Sequence, residues 1–294
     1  MNKKILYLHI GWSKTGTSAV QKQLDLQFEE LKSKGVLYSK VMQMNDQAHH
    51  HFALAFKGIH GYPPKYNVDT VIKLLNEEMD SNQCDSLILS SELSPHYFNN
   101  PKFMNWISRF DEVKILATVR RQSELLLSLF NQLVKDPQVR FQGTFFQLAI
   151  SNFPKVNYFQ HLQAWAKHFG DNNIVLFLYN SEIVDQVANY FNLSYKDSTE
   201  DRIVNPSLPN NLLHLMQQRT KGENDPEQYR RVREKLLDEY KYITSKPEKM
   251  LVTKGELRVI DQHFEYPNNL AAQRFLKLEK MFENKDYSDI LVYE

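Results

Sequence analysis

Residues 5–18 read ILYLHIGWSKTGTS, and this stretch decides how the chain begins its fold. The apolar run 5–10 predicts a buried β-strand, and it ends in a short loop bracketed by Gly11 and Gly16. A helix is predicted to follow over 17–33. A strand, a tight loop and a helix N-terminus in this order form an anion site, because backbone N–H groups converge there and the helix dipole adds partial positive charge.

The same loop argues against a nucleoside triphosphatase. A phosphate loop of that class reads G-x-x-x-x-G-K-[ST]. The glycine spacing is correct here, but Thr17 follows Gly16, and the lysine of the loop is Lys14. Because the lysine of that motif reaches the β- and γ-phosphates, its displacement weakens this interpretation. A nucleotide-dependent kinase would need Glu92 to bind its metal and another residue to replace the missing lysine.

A second anion-binding element is predicted further along the chain. Residues 113–119 read VKILATV, which is typical of a buried parallel strand, and Arg120 follows at its carboxyl end. An arginine in this place can bind a phosphate through two parallel hydrogen bonds. A helix is predicted over 122–135, and Ser128 lies about two turns along it. The polar face of this helix comprises Arg121, Glu124, Ser128, Asn131 and Lys135, and its core face Leu126, Leu127, Phe130 and Leu133.

Residues 13–18, S-K-T-G-T-S, resemble the 5′-phosphosulfate loop of the sulfotransferases that use 3′-phosphoadenosine 5′-phosphosulfate (PAPS), which reads [PST]-K-[ST]-G-[TS]-[TS]. The resemblance implies that Lys14 contacts the bridging oxygen of the phosphosulfate. It also implies that the remaining residues of the loop hold the 5′-phosphate. Gly16, Thr17 and Ser18 would cradle that group, with Ser13 and Thr15 as the other cofactor-binding residues of the loop.

Arg120 and Ser128 have the spacing of this family's second signature, in which a strand-end arginine and a serine eight positions later bind the 3′-phosphate. Many members continue with Arg-[DN]-Pro, where this chain has Arg121 and Gln122 after Arg120. Tyr179 follows a predicted strand over 173–178 and corresponds to a tyrosine that lies near the adenine in the family. An ordinary strand-end tyrosine is equally consistent with that position, so the assignment of Tyr179 stays open.

Two kinds of residue compete for the role of catalytic base. A predicted strand over 86–91 is followed by Glu92, where cytosolic members of the family carry a catalytic histidine and glycan-modifying members use a glutamate. The alternative is the triplet His49, His50 and His51, because imidazole has the better intrinsic pKa for a base. Three consecutive histidines on a helix face different directions, so they do not form a metal site, and no metal is required by the reaction.

Composition narrows the function classes further. The chain has 294 residues, 42% hydrophobic and 24% charged, with a formal net charge of +1, which gives nucleic-acid binding no support. The single cysteine, Cys84, forms no internal disulfide, which suits a reducing compartment. No stretch approaches the roughly 20 apolar residues of a transmembrane segment, and the first apolar run is too short for a signal peptide. We expect a cytoplasmic, bacterial enzyme.

The chain as a whole is predicted to be an α/β protein with a P-loop-like three-layer fold, in which helices flank a central parallel sheet. A single domain is expected, with the PAPS site in an α/β core over 1–205 and a helical cap or flank over 206–294. Because ligands bind at the carboxyl ends of parallel strands, Lys14, Glu92 and Arg120 are expected to share one site. The predicted helices are 17–33, 46–57, 68–80, 101–110, 122–135, 157–169, 210–221, 226–243, 256–264 and 268–284.

Two later pieces, 202–208 and 264–275, resemble bacterial sulfotransferases that modify polysaccharides or lipid-linked glycans, and Asn205, Ser207 and Asn269 are candidates to close over the cofactor. The resemblance implies transfer of the sulfuryl group from PAPS to an acceptor hydroxyl, on a glycan or glycolipid. The aromatic and histidine-rich segment 47–66 is expected to line the acceptor cleft. A kinase and a non-catalytic glycan- or nucleotide-binding relative are the alternatives, and the sequence leaves the oligomeric state open.

Overall fold

The computed structural model describes residues 3–44, 46–59, 62–194, 210–241 and 252–287. Five strands form one sheet whose neighbours all pair in parallel, in the order β2-β3-β1-β4-β5. The predicted α/β class with a central parallel sheet is therefore confirmed. The strands are β1 (Ile5–His9), β2 (Val36–Tyr38), β3 (Ser86–Ser90), β4 (Glu112–Val119) and β5 (Ile174–Leu178).

Helices connect and flank these strands throughout the described residues. In chain order they are α1 (Thr17–Leu26), α2 (Phe28–Ser33), α3 (His50–Phe56), α4 (Val68–Asn82), α5 (Pro101–Ile107), α6 (Gln122–Lys135), α7 (Phe145–Asn152), α8 (Tyr158–Phe169), α9 (Ile183–Tyr190), α10 (Asn210–Arg219), α11 (Pro226–Lys241) and α12 (Lys254–Ala271). A π-helical turn, Ala272–Leu276, continues α12.

Four of the five strands were predicted from the sequence, and β2 was missed because it has only three residues. The predicted helix 17–33 is divided into α1 and α2. The predicted interruption between 264 and 268 is wrong, since α12 continues through Pro267. Burial of Phe264, Asn268 and Ala271 on both sides of that proline holds the helix together by packing. The predicted continuation of helix to residue 284 is also wrong, because 277–287 has no regular secondary structure.

The chain forms two compact units. Unit 1 comprises Met1–Arg120, Phe159–Val204 and Gln273–Lys277, and it contains the whole sheet. Unit 2 comprises Arg121–Tyr158, Asn205–Ala272 and Leu278–Glu294, and its regular secondary structure in the described residues is helical. The expected single domain with a division near residue 205 stays a prediction.

The sheet of unit 1 is buried on both faces, as expected for parallel strands. On one face, side chains of β1–β5 pack against α1, α2 and α9 in a cluster that includes Val20, Leu31, Ile88 and Val187. On the other face the alternate strand residues are equally buried, and these are Leu6, Leu8, Leu37, Leu87, Leu89, Ile115, Ala117 and Leu176. The sheet is thus a middle layer, and only its strand ends are open to a ligand.

Unit 2 is organised around α6, which packs against α7, α10 and α12. Because α6 is covered by several helices, its buried surface is wider than the single predicted face. Asn131, predicted on the polar face, is buried, and so are Leu125 and Val134. Leu127 and Leu133, predicted in the core, are only half-buried.

Candidate active site

The loop that leaves β1 lies at the topological switch point of the sheet. β1 sits between β3 and β4. The chain leaves β1 toward β2 on one side, whereas it leaves β4 toward β5 on the other side. The loops after β1 and β4 therefore diverge, and the crevice between such loops is where open α/β sheets bind their ligands.

The backbone of this loop depends on its two glycines. Gly16 is the N-cap of α1 with φ of +84°, and a Cβ atom there would lie 3.0 Å from the Tyr179 ring. A Cβ atom at Gly11 would lie 2.3 Å from the Thr17 methyl carbon, which leaves no room for it. Lys14 also has positive φ, 72°, which is a strained conformation for a residue with a side chain. The loop is thus a tight, specified turn.

No side chain caps the first turn of α1. The N–H groups at a helix start have no intrahelical partners, so they are the donors that an anionic ligand would engage. Ser13 and Ser18 are exposed on either side of this turn. The loop and the start of α1 can therefore present both backbone and hydroxyl donors to a phosphate.

The two buried threonines of the loop have structural contacts. Thr15 Oγ1 donates to the carbonyl of Trp12 at 2.6 Å and hydrogen-bonds the Thr118 hydroxyl at 2.7 Å. This hydroxyl pair ties the loop to β4. The Thr17 side chain is buried against Gly11. That Thr15 and Thr17 hold a phosphate stays a prediction. Because their side chains are buried, only their backbone N–H groups would be the donors.

Arg120 and Tyr179 meet Lys14 at this edge of the sheet. Nη1 of Arg120 donates to the Lys14 carbonyl at 3.1 Å. The Arg120 guanidinium lies over the Tyr179 ring, 4.5 Å from its centroid. The backbone N–H of Tyr179 donates to the Val119 carbonyl at 2.8 Å, which extends the pairing of β4 and β5 by one residue. The ends of β1, β4 and β5 thus bring together the glycine-bracketed loop, a guanidinium and a half-exposed aromatic ring.

Ser128 belongs to unit 2, on α6, and is half-buried. Arg120 is the last residue of the first segment of unit 1. Their shared role in binding a 3′-phosphate stays a prediction.

Glu92 lies just beyond β3 and is held by a buried polar network. Nε2 of Gln21, on α1, donates to Oε2 of Glu92 at 3.2 Å and to Oγ of Ser90 at 3.0 Å. The Ser90 hydroxyl also hydrogen-bonds Nδ1 of His9 at 2.8 Å. His9, Gln21 and Ser90 are almost completely buried, whereas Glu92 is only half-buried. The carboxylate is therefore fixed from beneath while part of it faces solvent.

The structure removes His49 from the candidate bases. Its Nδ1 accepts from the Ser90 N–H at 2.8 Å, and its Nε2 lies 2.7 Å from the Ser39 carbonyl, to which it donates. The ring is fully buried, and burial lowers the pKa of His49 to about 4. His49 is a neutral structural residue that joins β3 to the chain after β2. Burial, followed by the nearby His49, lowers the pKa of His9 to about 4 as well.

His50 and His51 lie at the start of α3 and differ in their surroundings. Nδ1 of His50 hydrogen-bonds Ser91 Oγ at 2.8 Å, and its Nε2 lies 3.5 Å from Asp46. His51 packs edge-on against Tyr66. Its pKa is lowered, mainly by burial and then by Lys65 and His50. His50 is thus the histidine of the triplet that contacts the residue next to Glu92, and the roles of both histidines stay predictions.

An aromatic and imidazole cluster beside the loop was missed by sequence reasoning. The Trp12 ring lies 6.1 Å from His161, and His161 lies 6.0 Å from His96, measured between ring centroids. Burial lowers the pKa of His96, and so do His161, Lys57 and His168. The cluster draws on the loop, the segment after β3 and α8, so no local sequence signal could have found it.

Segment 47–66, expected to line the acceptor cleft, divides into two parts: Ala48, His49, Phe52, Ala53 and Leu54 are buried, whereas the described residues over 57–65 are exposed. Its place in the acceptor cleft stays a prediction. Phe52 is buried and lies 4.8 Å from the Tyr97 ring, and Phe56 lies 5.7 Å from Phe103. Asn269 accepts a hydrogen bond from the Met281 N–H at 3.4 Å within unit 2. Asn205 and Ser207 lie outside the described residues.

Two features are absent from the described residues. No group of three or more histidine, cysteine, aspartate or glutamate side chains is arranged to hold a metal ion in that part of the chain. Within the same ranges, no helix has both the length and the apolar character that crossing a membrane requires.

Known proteins resemble this chain in structure but not in sequence. No family model and no curated protein matches it. Among solved structures it is similar to a mouse sulfotransferase complexed with PAP, with 15% identity, a TM-score of 0.37 and coverage of 69% of this chain. The match spans 64% of the mouse protein's chain, less than two thirds of it.

Two further matches are a sulfotransferase from a named organism and a domain from a biosynthetic pathway. A sulfotransferase from Alicyclobacillus acidocaldarius has 14% identity and a TM-score of 0.44, covering 74% of this chain and 90% of that one. The sulfotransferase domain of the curacin biosynthetic pathway has 13% identity and a TM-score of 0.37, covering 90% and 97%. At these identities and TM-scores the similarity does not decide the function, which has to be inferred from the residues of the site.

Proposed function

We propose that this protein is a sulfotransferase that moves the sulfuryl group of PAPS to an acceptor hydroxyl. The observation that carries the proposal is the meeting of Lys14, Arg120 and Tyr179 at the switch point of the sheet. A site for PAPS needs an anion loop for the 5′-phosphosulfate, an aromatic face for the adenine and a cation for the 3′-phosphate. One edge of unit 1 carries all three.

The glycine loop fits such a ligand on geometric grounds. The positive φ angles of Lys14 and Gly16 turn the chain tightly into the uncapped start of α1. Because Gly11 and Gly16 have no side chains, the loop backbone can pass close to Thr17 and Tyr179. We assign the 5′-phosphate to the first turn of α1 with Ser13 and Ser18, the adenine to Tyr179, and the 3′-phosphate to Arg120.

The residues of the chain then have distinct chemical tasks. PAPS supplies the sulfuryl group when bound. Lys14 and the first N–H groups of α1 stabilise negative charge on the departing phosphate oxygen, and preorganised donors of this kind commonly provide the largest share of catalysis. Glu92 accepts the proton of the acceptor hydroxyl, while Gln21 holds its carboxylate in place.

Glu92 is preferred over the histidines as base. It follows β3 directly, its outer part is open to solvent, and its orientation is fixed by a buried neighbour. His50 is the rival, because it contacts Ser91. His49 is excluded by its two backbone hydrogen bonds.

The acceptor is proposed to be a hydroxyl of a glycan or glycolipid. A group of rings extends from the loop after β1, and it comprises Trp12, His161 and His96. These rings provide flat faces on which a sugar ring can stack. Burial, followed by the neighbouring His161, Lys57 and His168, lowers the pKa of His96 and so favours its neutral form. The cytoplasmic location expected from the sequence stays a prediction.

Calorimetry with PAP, the desulfated product, tests the cofactor assignment. PAP should bind far more tightly than 5′-AMP, because only PAP carries the 3′-phosphate. Arg120→Ala should remove most of that difference, since a charge-assisted hydrogen bond contributes about 1.5–3 kcal/mol, or roughly 10- to 100-fold in affinity. Arg230→Ala, which changes an exposed arginine on α11, is the matched control. Equal affinity of the wild type for PAP and 5′-AMP, or tight binding of ATP with Mg²⁺ instead, would refute the proposal.

A further inference from the structure

A polar cavity lies within unit 2. Its volume is about 360 Å³, within the range of small-ligand sites. The walls come from the start of α6, from one face of α12 and from the segment after the π-turn. The lining residues used below are Arg121, Arg258, Asp261, Asn269, Phe282 and Tyr287.

The floor of the cavity is a fixed hydrogen-bond network. Oδ2 of Asp261 accepts from the Tyr287 hydroxyl and from Arg121, the latter at 3.3 Å. The Tyr287 hydroxyl also hydrogen-bonds Ser123 at 2.7 Å, and its pKa is raised by burial and by its hydrogen bond to Asp261. Tyr287 is fully buried, so this end of the chain is anchored to α6 and α12. The floor of the cavity is therefore held in a fixed geometry.

One acceptor in this network is unmet. Oδ1 of Asp261 is buried without a hydrogen-bond partner, and it is the only such side-chain atom among the described residues that line the cavity. An unpaired buried carboxylate oxygen is costly, so such an atom in a native structure requires an explanation. A ligand that donates a hydroxyl or an amide N–H would satisfy it.

The charges of the cavity are balanced. Arg121 pairs with Asp261, and Lys285 pairs with Glu124 at 2.9 Å. The two remaining charged side chains of the lining, Arg258 and Glu265, are both exposed and opposite in sign. The lining itself has three cations and two anions, and Glu124, which lies outside the lining, neutralises Lys285, so a phosphate or another polyanion gains no strong advantage. The lining favours an uncharged polar ligand.

We propose that this cavity binds one neutral sugar residue. A sugar offers a hydroxyl donor to Asp261 Oδ1, acceptors to the Arg258 guanidinium and the Asn269 amide, and an apolar ring face to Phe282. The site does not depend on the transferase assignment.

Saturation-transfer NMR tests the proposal on the whole chain. The probes are methyl glucoside, methyl galactoside and N-acetylglucosamine, with glucuronate and inorganic sulfate as charged comparisons. At least one neutral sugar should receive saturation from the wild type. Asp261→Asn replaces the unmet acceptor with a donor but keeps an oxygen for Arg121. The affinity for that sugar should fall roughly tenfold. Arg258→Gln should lower the affinity for the sugar as well, whereas Arg231→Gln, on α11, should leave it unchanged.

The outcomes separate clearly. Loss of the signal in Asp261→Asn and Arg258→Gln, with unchanged melting temperature in Arg258→Gln, supports the site. Absence of transfer to every neutral sugar, preferential binding of sulfate, or equal sugar binding by wild type and both variants overturns it. Calorimetry with PAP on the same proteins reports on the transferase assignment separately, so failure of one proposal is not mistaken for failure of the other.

Discussion

The carboxyl ends of β1 and β3 lie in the same sheet but are built in opposite ways. Beyond β1 the chain makes its site from backbone, with two glycines, a strained lysine and an uncapped helix start. Beyond β3 the site is a stack of buried side chains in which His49, Ser90 and Gln21 lie beneath Glu92. A backbone site tolerates few residue types at its turns, whereas a side-chain site depends on partners that are distant in sequence.

Gln21 joins these two regions. Its side chain projects from α1, the helix that follows the loop after β1. From there it donates a hydrogen bond to the Glu92 carboxylate, just beyond β3. Substitutions in each region should separate their contributions, from the largest expected effect to the smallest.

The largest effect is expected at the end of β3. Glu92→Gln keeps the shape of the side chain and removes its basicity, so turnover should fall by about 10²–10⁴-fold with PAP affinity unchanged. Turnover is measured with labelled PAPS. His50→Gln serves as the comparison. An active Glu92→Gln together with an inactive His50→Gln would transfer the role of base to His50.

Next in size is the loop lysine. Lys14→Ala should lower turnover by about 10²–10³-fold and change PAP affinity much less, because PAP lacks the sulfuryl group whose transfer Lys14 assists. Lys73→Ala, an exposed lysine of α4, should leave both quantities unchanged. Turnover of Lys14→Ala within a few-fold of the wild type would contradict the mechanism.

The buried histidines should make stability depend on pH. Burial holds the pKa of His9 and of His49 at about 4, below the ordinary 6.5, so in this interval the unfolded chain binds protons that the folded chain does not. Stability should therefore be complete above pH 6.5 and fall as the pH drops toward 4, by roughly 3 kcal/mol for each histidine at the acid end.

Urea unfolding at several pH values measures this dependence. His9→Gln, which does not titrate, should flatten the pH dependence, and His168→Gln, at an exposed site, should not. A His9→Gln protein that loses stability toward low pH as steeply as the wild type would show that His9 is not held neutral.

The glycine comparison isolates the backbone site. Gly16 and Gly35 both have positive φ, +84° and +74°, so alanine at either should cost about 1–2 kcal/mol of stability. Only at Gly16 would the new Cβ meet the Tyr179 ring, at 3.0 Å, while Gly35 has open space. Calorimetry should therefore show weakened PAP binding in Gly16→Ala alone. Equal PAP affinity in the two variants would argue against the loop as the phosphate site.

The smallest effect is expected for Gln21, as a positioning residue. Gln21→Leu removes the hydrogen bond to Glu92, so kcat should fall about tenfold with little change in the KM for PAPS. Gln23→Leu is a matched control, because Gln23 is also buried on α1 but its Nε2 has no hydrogen-bond partner. If the two variants lose the same activity, the effect of Gln21 is one of helix packing.

Much of the fold could be predicted from the sequence. Apolar runs mark four of the five strands, and the spacing of Gly11 and Gly16 marks the loop, because both signals are local. The short β2, the course of α12 through Pro267 and the burial of Asn131 could not be predicted. In each case packing against other elements outweighs the local preference of the residues.

The sequence by itself determined the glycine-bracketed loop after β1 and the placement of Lys14, Glu92 and Arg120 just beyond predicted strands, since apolar runs and glycine spacing are local signals and strands separated by helices predict a parallel sheet. Only the tertiary structure decided how those residues are held. It places Tyr179 under Arg120, makes His49 a neutral buried residue and brings Gln21 to Glu92. These contacts join residues far apart in the chain, and whether such side chains meet depends on how helices pack on the sheet, which no local pattern encodes.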